Sequence, residues 1–292
     1  MRSLLALMLS LAVAVVATAA DAKTKRLLLV THSGGFIHDS VGTAEDVMKE
    51  LGPKYGYAVT CWRYTGDVND KDFPKYQEAF RARTKKTVEK ENCGRVNAET
   101  LKNFDVVLFF TTGSTTAKST KGPLTLDELK DLTAWVKAGG VFTGVHCATD
   151  TMYDSTYGEL IGGYFKTHPH QQKVKLKLED SKHPAAAGLT DGMEWMDEYY
   201  VMKDAPYDRS KIHIILSIEK STFDAGKNAN AVRADGDYAV AWCKDEGKGK
   251  VFYTSLGHRN ESWKDERFQK HLFGGLDWAC GKAAGDATPS KK

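Results

Sequence analysis

The sequence predicts an α/β protein with a mostly parallel central sheet, and three patterns carry the prediction. Apolar runs rich in branched or aromatic residues, typical of strands buried on both faces, occur at 25–31, 104–112 and 141–145. Segments with apolar residues at helical spacing separate these runs, and such alternation predicts a parallel sheet covered by helices. A strictly alternating stretch at 173–179, KVKLKLE, predicts added antiparallel strands.

The first half of the chain supplies a strand, a helix and a second strand. The helix is predicted from apolar residues that recur at helical spacing: Val41, Ala44, Met48 and Leu51. Gly52 and Pro53 end it, and YAVTCW (57–62) predicts the next strand. From about 66 to 103 the chain is polar and weakly periodic apart from a short helix at 76–83. We expect a surface insertion there.

The second half begins with a capped helix. Thr125, followed three residues later by Glu128, forms a capping-box pattern. Further strands are predicted at IHIILSI, YAVAWC and KVFYTS, and a last helix at about 263–279. The sequence therefore predicts one folded domain over 24–281. The residues from 282 to 292 are small, polar and basic, which predicts a disordered tail.

The first residues have the pattern of a secretory signal peptide. Arg2 supplies a positive charge, residues 4–16 an apolar run, and 17–19 a small-residue cleavage site. The apolar run is too short for a convincing membrane span. We therefore expect residues 1–20 to be removed and the mature protein, without a membrane span, to be secreted or periplasmic.

Composition excludes some functions and leaves others open. The formal net charge is +3, and basic residues are scattered among acidic ones, so we expect no nucleic-acid partner. The chain has five cysteines but no CxxC motif, which removes support for a thiolate zinc site. In an oxidising compartment, Cys61 and Cys93 could pair across the polar segment between them.

Histidines follow several predicted strands. His38 lies after the first strand, His146 directly after the strand at 141–145, and His258 after KVFYTS. Because ligands bind at the carboxyl ends of parallel strands, we expect these side chains to converge. Neutral imidazoles suit a divalent transition metal. Asp39 and Ser114, in loops at the same edge, are candidate substrate-binding residues.

A second set of candidates comes from two later loops. His168 lies between a short helix and KVKLKLE, and we expect it to be a fourth metal ligand. Asp197 and Glu198 are adjacent acids that could orient histidines or bind the metal directly, so we place them with His146 as catalytic residues. Tyr199 follows as a candidate substrate contact. The histidines taken as structural or surface residues are His32, His183, His213 and His271.

Cys147 offers an alternative chemistry. A strand followed by a sharp turn can present a nucleophile, with His258 as base and Glu261 as orienting acid. The acid stands three residues after the base, whereas cysteine amidotransferases place it two after. Thr149 occupies the position that usually carries a small residue. We therefore favour His146 as the working residue and Cys147 as its packed neighbour.

Several motifs together resemble the ThuA-like family, which is associated with trehalose utilisation and related sugar catabolism. They are GVHCATDT, GGYFKTHP, HPAAAGL, DEYY and GKGKVFYTSLGH. The resemblance covers about 27–278 and implies a flavodoxin-like, three-layer sandwich similar to class I glutamine amidotransferases. The resemblance also implies that His38, His146, His168 and His258 stand at histidine positions of the family pattern. The chain departs from the family pattern at 66–103 and around 32–36.

The resemblance implies a function in carbohydrate catabolism, on sugars that a partner dehydrogenase has oxidised at carbon 3. We expect a metal-assisted enzyme with a bound divalent metal ion, zinc foremost. Lyase, hydrolase or isomerase chemistry would follow, since a 3-keto sugar has an acidic proton beside its carbonyl. The alternatives are a Cys147-dependent hydrolase and a non-catalytic carbohydrate-binding protein. In the latter, sugars would stack on Trp62, Trp195, Trp242 or Trp263.

Export can be tested directly. We expect protein exported by its native host to begin near residue 20. Arg2 and the apolar run at 4–16 form a predicted signal peptide, which is removed during export. N-terminal sequencing measures this. A matched Leu9→Arg variant, with a charge inside the apolar run, should remain uncleaved. Exported protein that still begins at Met1 would contradict the prediction.

Overall fold

A computed structural model describes residues 24–116 and 119–291; the predicted signal peptide, 1–20, lies outside these ranges. The strands are β1 (Lys25–Val30), β2 (Tyr57–Trp62), β3 (Val106–Phe109), β4 (Thr115–Thr116), β5 (Ser119–Thr120), β6 (Val141–Val145), β7 (Phe165–Thr167), β8 (Gln172–Leu178), β9 (Glu194–Asp197), β10 (Val201–Met202), β11 (His213–Ile218), β12 (Ala239–Glu246) and β13 (Gly249–Thr254). The helices are α1 (Ser40–Leu51), α2 (Phe73–Thr84), α3 (Ala98–Leu101), α4 (Leu126–Lys137), α5 (Tyr157–Ile161), α6 (Asn260–Lys264) and α7 (Glu266–Ala279). None of these helices combines the length and apolar character needed to cross a membrane.

Nine of the strands form one sheet in the order β2-β1-β3-β6-β13-β12-β11-β8-β9. The first five strands are mutually parallel, and the remaining pairs are antiparallel. The predicted α/β class, a mostly parallel sheet with added antiparallel strands, is confirmed. Because β2 lies on one side of β1 and β3 on the other, the strand order reverses at β1. The carboxyl edge beside such a switch point is where open parallel sheets bind ligands.

Helices cover both faces of the sheet, as β13 illustrates. Its side chains alternate between the faces. The Phe252 ring packs against His271 and Gly275 of α7. The next residue, Tyr253, packs on Trp242, whose indole N–H donates to the carbonyl of Ile161 in α5 at 2.8 Å. The core therefore has three layers.

The helix α4 begins at the predicted capping box. Thr125 N donates to Glu128 Oε2 at 2.8 Å, and Glu128 N donates to Thr125 Oγ1 at 3.2 Å. This reciprocal pair satisfies two backbone donors that a helix start leaves free. The predicted end of α1 before Gly52 is also confirmed.

The segment 66–103 is only in part the surface insertion that its polarity predicts. It contains α2 and α3, and it contributes four side chains to the core: Phe80, Val88, Val96 and Leu101. A buried ion pair anchors the segment. Arg63 lies 2.7 Å from Glu45, and it also donates to Oδ1 of Asn92, a residue of the segment, at 2.9 Å. Apolar anchors spaced this widely leave no periodic signal in the sequence.

The C-terminal segment, predicted to be disordered, instead runs along the folded body. Ser290 N donates to the carbonyl of Ile212 at 2.9 Å, and the Trp278 indole donates to the carbonyl of Gly285 at 3.1 Å. Composition failed here because backbone hydrogen bonds hold the segment, and these do not depend on apolar side chains. All five cysteines are free thiols, so the Cys61–Cys93 pair considered above is not formed.

Three of the histidines set aside as structural or surface residues are buried. Burial lowers the pKa of His32 to about 3, and the pKa of His183 and of His271 to about 4. His271 Nε2 lies 2.9 Å from Thr254 Oγ1, and its Nδ1 is hydrogen-bonded to the carbonyl of Ala185, which offsets only part of the effect of burial. These rings are neutral parts of the core at neutral pH.

This burial predicts a loss of stability in mild acid. The pKa of His271 falls from 6.5 to about 4 on folding, so between these values the unfolded chain binds a proton that the folded chain does not. Its contribution to stability is therefore present above pH 6.5 and is lost as the pH falls toward 4. For His271 the loss from about pH 7.5 to about pH 4.5 should be about 2 to 3 kcal/mol.

Urea unfolding at the two pH values measures the loss. His271→Gln should be less stable at neutral pH but should lose less stability on acidification than the wild type. The exposed His170 provides the control, because His170→Gln should leave the pH dependence unchanged. An equal loss in the wild type and in His271→Gln would contradict the prediction.

Candidate functional site

Three histidines and one carboxylate meet at the carboxyl edge of the parallel strands. His38 follows β1, His146 follows β6 and His258 follows β13, while Glu198 follows β9. One potential ligand atom from each of these residues lies within 4.8 Å of the others. His146 is fully buried, and the other three are buried or nearly so. Strand ends far apart in the sequence therefore build one compact cluster.

The spacing of these atoms fits a metal ion. His258 Nδ1 lies 3.1 Å from His146 Nε2 and 3.2 Å from Glu198 Oε1, and His146 Nε2 lies 3.6 Å from the same oxygen. Ligands held tetrahedrally at zinc distances of 2.0–2.1 Å are about 3.4 Å apart. The donor atoms of His146, His258 and Glu198 are thus close to zinc-ligand spacing, and His38 has a ligand atom within 4.8 Å of them.

His38 adds an unpaired polar atom. Its buried Nδ1 has no hydrogen-bond partner among the described residues, and such atoms are rare in folded proteins. The His38 ring is nearly perpendicular to the rings of His146 and His258, with centres 5.0 and 5.2 Å away. The cluster could therefore hold a metal ion, with His38 as one of the ligands.

The pKa values of the cluster residues depend strongly on one another. Burial alone would raise the pKa of Glu198, but its contacts with His146 and His258 outweigh burial and hold that pKa well below its ordinary value. Burial lowers the pKa of His258, but Glu198 and other nearby carboxylates reverse this and raise it. For His38, burial and then the two neighbouring histidines lower the pKa. An ionised carboxylate is thus maintained at the centre.

The backbone around His146 aims its ring into the cluster. His146 begins the turn after β6 with a φ of 45°, in the left-handed region that non-glycine residues rarely adopt. Its carbonyl accepts from the Tyr253 hydroxyl at 2.7 Å, and its Nδ1 lies 2.8 Å from the carbonyl of Ser255. A carbonyl can only accept, so Nδ1 carries the hydrogen and Nε2 offers its lone pair to the cluster.

Asp197 and Tyr199 support the site without reaching it. Asp197 Oδ2 accepts from Gly257 N and from the Ser262 hydroxyl, both at 2.9 Å, which fixes the loop that carries His258. The catalytic role predicted for Asp197 is therefore replaced by a positioning role. Tyr199 is buried and its hydroxyl donates to the carbonyl of Trp195 at 2.8 Å, so it cannot serve as the predicted substrate contact.

His168 lies beside the cluster rather than within it. Its side chain is 42% exposed, and its Nδ1 lies 3.2 Å from Glu198 Oε2, the oxygen directed away from the other histidines. The same nitrogen lies 2.7 Å from the carbonyl of Pro169. His168 is absent from the group that could share one ion. The structure thus separates this predicted ligand from the other three histidines.

The two candidate substrate-binding residues have different surroundings. Asp39 is exposed directly before α1, and its charge is one of those that raise the pKa of His258. Ser114 Oγ instead accepts from the backbone N–H of Tyr153 at 2.8 Å, which stabilises the loop after β3. Asp39 therefore faces solvent beside the site, and Ser114 has a structural hydrogen bond.

Sequence reasoning missed two residues near the cluster. Tyr200 is buried with its ring centre 4.2 Å from that of His146. Asp150 Oδ1 lies 2.7 Å from the Tyr153 hydroxyl, and burial raises the pKa of the Asp150 carboxyl. Asp150 stands four residues after His146 in GVHCATDT, so that motif contained a signal for it. Nothing in the sequence distinguished Tyr200 from Tyr199.

The alternative sites are not assembled. Cys147 is fully buried, which raises the pKa of its thiol well above the ordinary value. Glu261 is exposed and lies 3.3 Å from Arg259, while His258 contacts Glu198 instead. This arrangement provides neither a reactive thiolate at Cys147 nor a cysteine triad.

The tryptophans considered for sugar binding are also unavailable. Trp242 and Trp263 are fully buried, and Trp195 is 4% exposed. The half-buried Trp62 packs edge-on against Phe104. They belong to the hydrophobic core or its margin.

A surface cavity of about 840 Å³ is lined by none of the cluster residues. Two arginines line it, and both are already paired: Arg233 with Asp235, and Arg209 with Glu179 at 2.8 Å. The cluster, at His38 Nδ1, and the cavity, at Arg209 Nε, each contain a buried polar atom without a hydrogen-bond partner among the described residues.

The fold and the site define an α/β protein with a histidine–carboxylate cluster at the switch edge of a parallel sheet. A family model named ThuA, described as trehalose utilisation, matches residues 26–279, so the chain belongs to the ThuA family. This membership supports a carbohydrate-related role and a small carbohydrate ligand.

Solved structures agree on the fold. A ThuA-like protein from Bacteroides uniformis is 19% identical, with a TM-score of 0.62 over 90% of this chain and 94% of that one. A ThuA-like protein from Parabacteroides merdae is 15% identical, with a TM-score of 0.61 over 90% and 92%. A cytoplasmic protein from Salmonella typhimurium LT2 is 11% identical, with a TM-score of 0.52 over 87% and 99%. The predicted family and its class I glutamine amidotransferase-like fold are confirmed. The comparison with curated proteins finds no significant match.

Proposed function

We propose that this protein is an exported, metal-assisted enzyme acting on sugars or glycosides oxidised to the 3-keto form, by lyase, hydrolase or isomerase chemistry. The observation that carries the proposal is the buried cluster of His38, His146, His258 and Glu198 in a chain of the ThuA family. A separate sugar dehydrogenase would introduce the keto group. Zinc is the proposed ion, because imidazole nitrogens and a carboxylate oxygen suit it.

The three histidines would hold the ion through one nitrogen each, with Glu198 Oε1 as the adjacent oxygen donor. When bound, the metal would polarise a substrate carbonyl and stabilise the negative charge left by proton removal. Asp197 contributes indirectly, since its hydrogen bond to Gly257 N holds the loop that carries His258. Tyr200 packs against His146 and limits the movement of that ring.

His168 is placed to accept the substrate proton. The two atoms near its Nδ1, Glu198 Oε2 and the carbonyl of Pro169, are both acceptors, so Nδ1 carries the hydrogen. Its Nε2 therefore has a free lone pair, with no hydrogen-bond partner among the described residues, on a side chain that is 42% exposed. That nitrogen would take the proton from the carbon beside the carbonyl.

We assign to Asp150 the return of a proton. Burial raises the pKa of this carboxyl, which lets it hold a proton at higher pH than an ordinary aspartate. Tyr153 fixes its orientation through the 2.7 Å contact between its hydroxyl and Asp150 Oδ1. In a lyase reaction the Asp150 carboxyl would donate its proton to the departing glycosidic oxygen while His168 accepts one.

Metal content tests the first part of the proposal. Purified wild-type protein should bind about one zinc ion per chain, because four potential donor atoms lie within 4.8 Å of one another. His38→Ala and His258→Ala should each weaken zinc binding by about a hundredfold or more, since each removes a direct ligand. Elemental analysis after dialysis and competition with a zinc chelator measure both.

The control is His213→Ala, because His213 pairs with Asp180 at 3.0 Å and is absent from the cluster. Its zinc affinity should equal that of the wild type. Folded wild-type protein that binds no zinc would remove the mechanism while leaving the fold unchanged.

The proton acceptor is tested with 3-keto-trehalose and methyl 3-keto-α-glucoside as probes. His168→Asn should lower turnover by about two to four orders of magnitude while leaving zinc affinity close to wild type, because this side chain lies outside the ligand group. The nearby, exposed His170→Asn is the matched control and should keep its activity. Turnover is followed by NMR of the product. Unchanged turnover in His168→Asn would exclude His168 as the acceptor.

A further inference from the structure

An exposed aromatic ring stands at the edge of the histidine cluster. The Phe36 side chain is 56% exposed, although its ring centre lies only 4.9 Å from that of the buried His38. The two rings meet edge to face, at 77°. An exposed aromatic ring beside a buried polar cluster offers apolar surface that a ligand at the cluster could cover.

A cation holds this ring in place. The Arg83 guanidinium lies 5.0 Å from the centre of the Phe36 ring, and Arg83 Nε donates to the carbonyl of Ile37 at 3.1 Å. Arg83 belongs to α2, so the segment 66–103 reaches the margin of the site. The cation–π contact and the hydrogen bond together tie Arg83 to the loop that carries the ring.

The backbone beneath the ring is equally constrained. The Thr112 hydroxyl donates to the carbonyl of Phe36 at 2.8 Å and accepts from Gly35 N at 3.2 Å. A Cβ at Gly34 would lie 1.7 Å from the carbonyl oxygen of Lys121, so only glycine allows this approach. The loop is therefore preorganised, which lowers the entropic cost of binding a ligand on it.

We propose that Phe36 is the stacking platform for a second sugar ring, so that the substrate is a glycoside of at least two rings. The proposal rests on the proposed function, which places the first ring at the cluster. The C–H face of a pyranose is apolar and packs well on an aromatic ring. Three of the four candidate tryptophans are buried, whereas Phe36 is open and one ring away from His38.

The positions of Phe36 and Arg83 in the sequence favour a role in substrate specificity over a role in catalysis. Phe36 and Arg83 lie in the two parts of the chain, around 32–36 and at 66–103, that depart from the family motifs. His146, His168 and His258, by contrast, lie within the quoted motifs. Recognition of the second ring would thus fall to residues outside the motifs that carry His146, His168 and His258.

The test compares a two-ring and a one-ring probe, trehalose and methyl α-D-glucopyranoside, on zinc-loaded protein. Affinities are measured by isothermal titration calorimetry for the wild type and for Phe36→Ala, Phe36→Tyr and Leu126→Ala. Leu126 is also an exposed apolar side chain, at 51%, and it lies at the start of α4. It therefore controls for the loss of exposed apolar surface in general.

Phe36→Ala should weaken trehalose binding about tenfold and change methyl glucoside binding less than about twofold. Phe36→Tyr and Leu126→Ala should both resemble the wild type. Three outcomes would each contradict the assignment of Phe36 as a stacking platform. These are equal trehalose affinity in the wild type and Phe36→Ala, an equal loss of affinity for both probes, and no trehalose binding by the wild type. The proposed function is judged separately, by zinc content and by turnover of the keto sugars.

Discussion

A buried carboxylate organises the candidate site. Glu198 contacts His146 and His258 through Oε1 and His168 through Oε2, although these histidines come from three separate loops. Without its charge, the imidazoles would face one another with nothing to balance a proton or a metal ion at their centre. The neighbouring Asp197 fixes the backbone at Gly257, so one acid contacts the histidines directly and the adjacent acid holds the loop that carries His258. The parallel strands bring the loops together, and these carboxylates set their final geometry.

The sheet and the convergence of three histidines could be predicted because both follow from local patterns. Apolar runs mark the buried strands, and a residue placed after a parallel strand must lie at the carboxyl edge. The sequence could not show which of Asp197 and Glu198 faces the cluster. Neighbouring residues at the end of a strand point in opposite directions, and one residue of register exchanges them. For the same reason Tyr200, rather than Tyr199, packs against His146.

Contacts between residues far apart in the sequence were the second feature that could not be predicted. The segment 66–103 is held by a few buried side chains and by Arg63, and the C-terminal segment by backbone bonds such as that from Ser290 to Ile212. Neither kind of contact changes local periodicity or composition, which are what a single sequence reveals. His168 is a related case. Its motif placed it correctly near the site, but only the direction of Glu198 Oε2 decides that it stands beside the ligand set.

The close approach of Gly34 to Lys121 has a consequence for how this protein can diverge. Because the backbone of that loop is fixed by glycine and by Thr112, the side chain at position 36 can be exchanged without moving His38, two residues later. A substitution at position 36 should therefore change the exposed surface beside the cluster and leave the backbone that carries His38 in place. The architecture thereby separates the shape of the exposed loop from the geometry of the buried histidines.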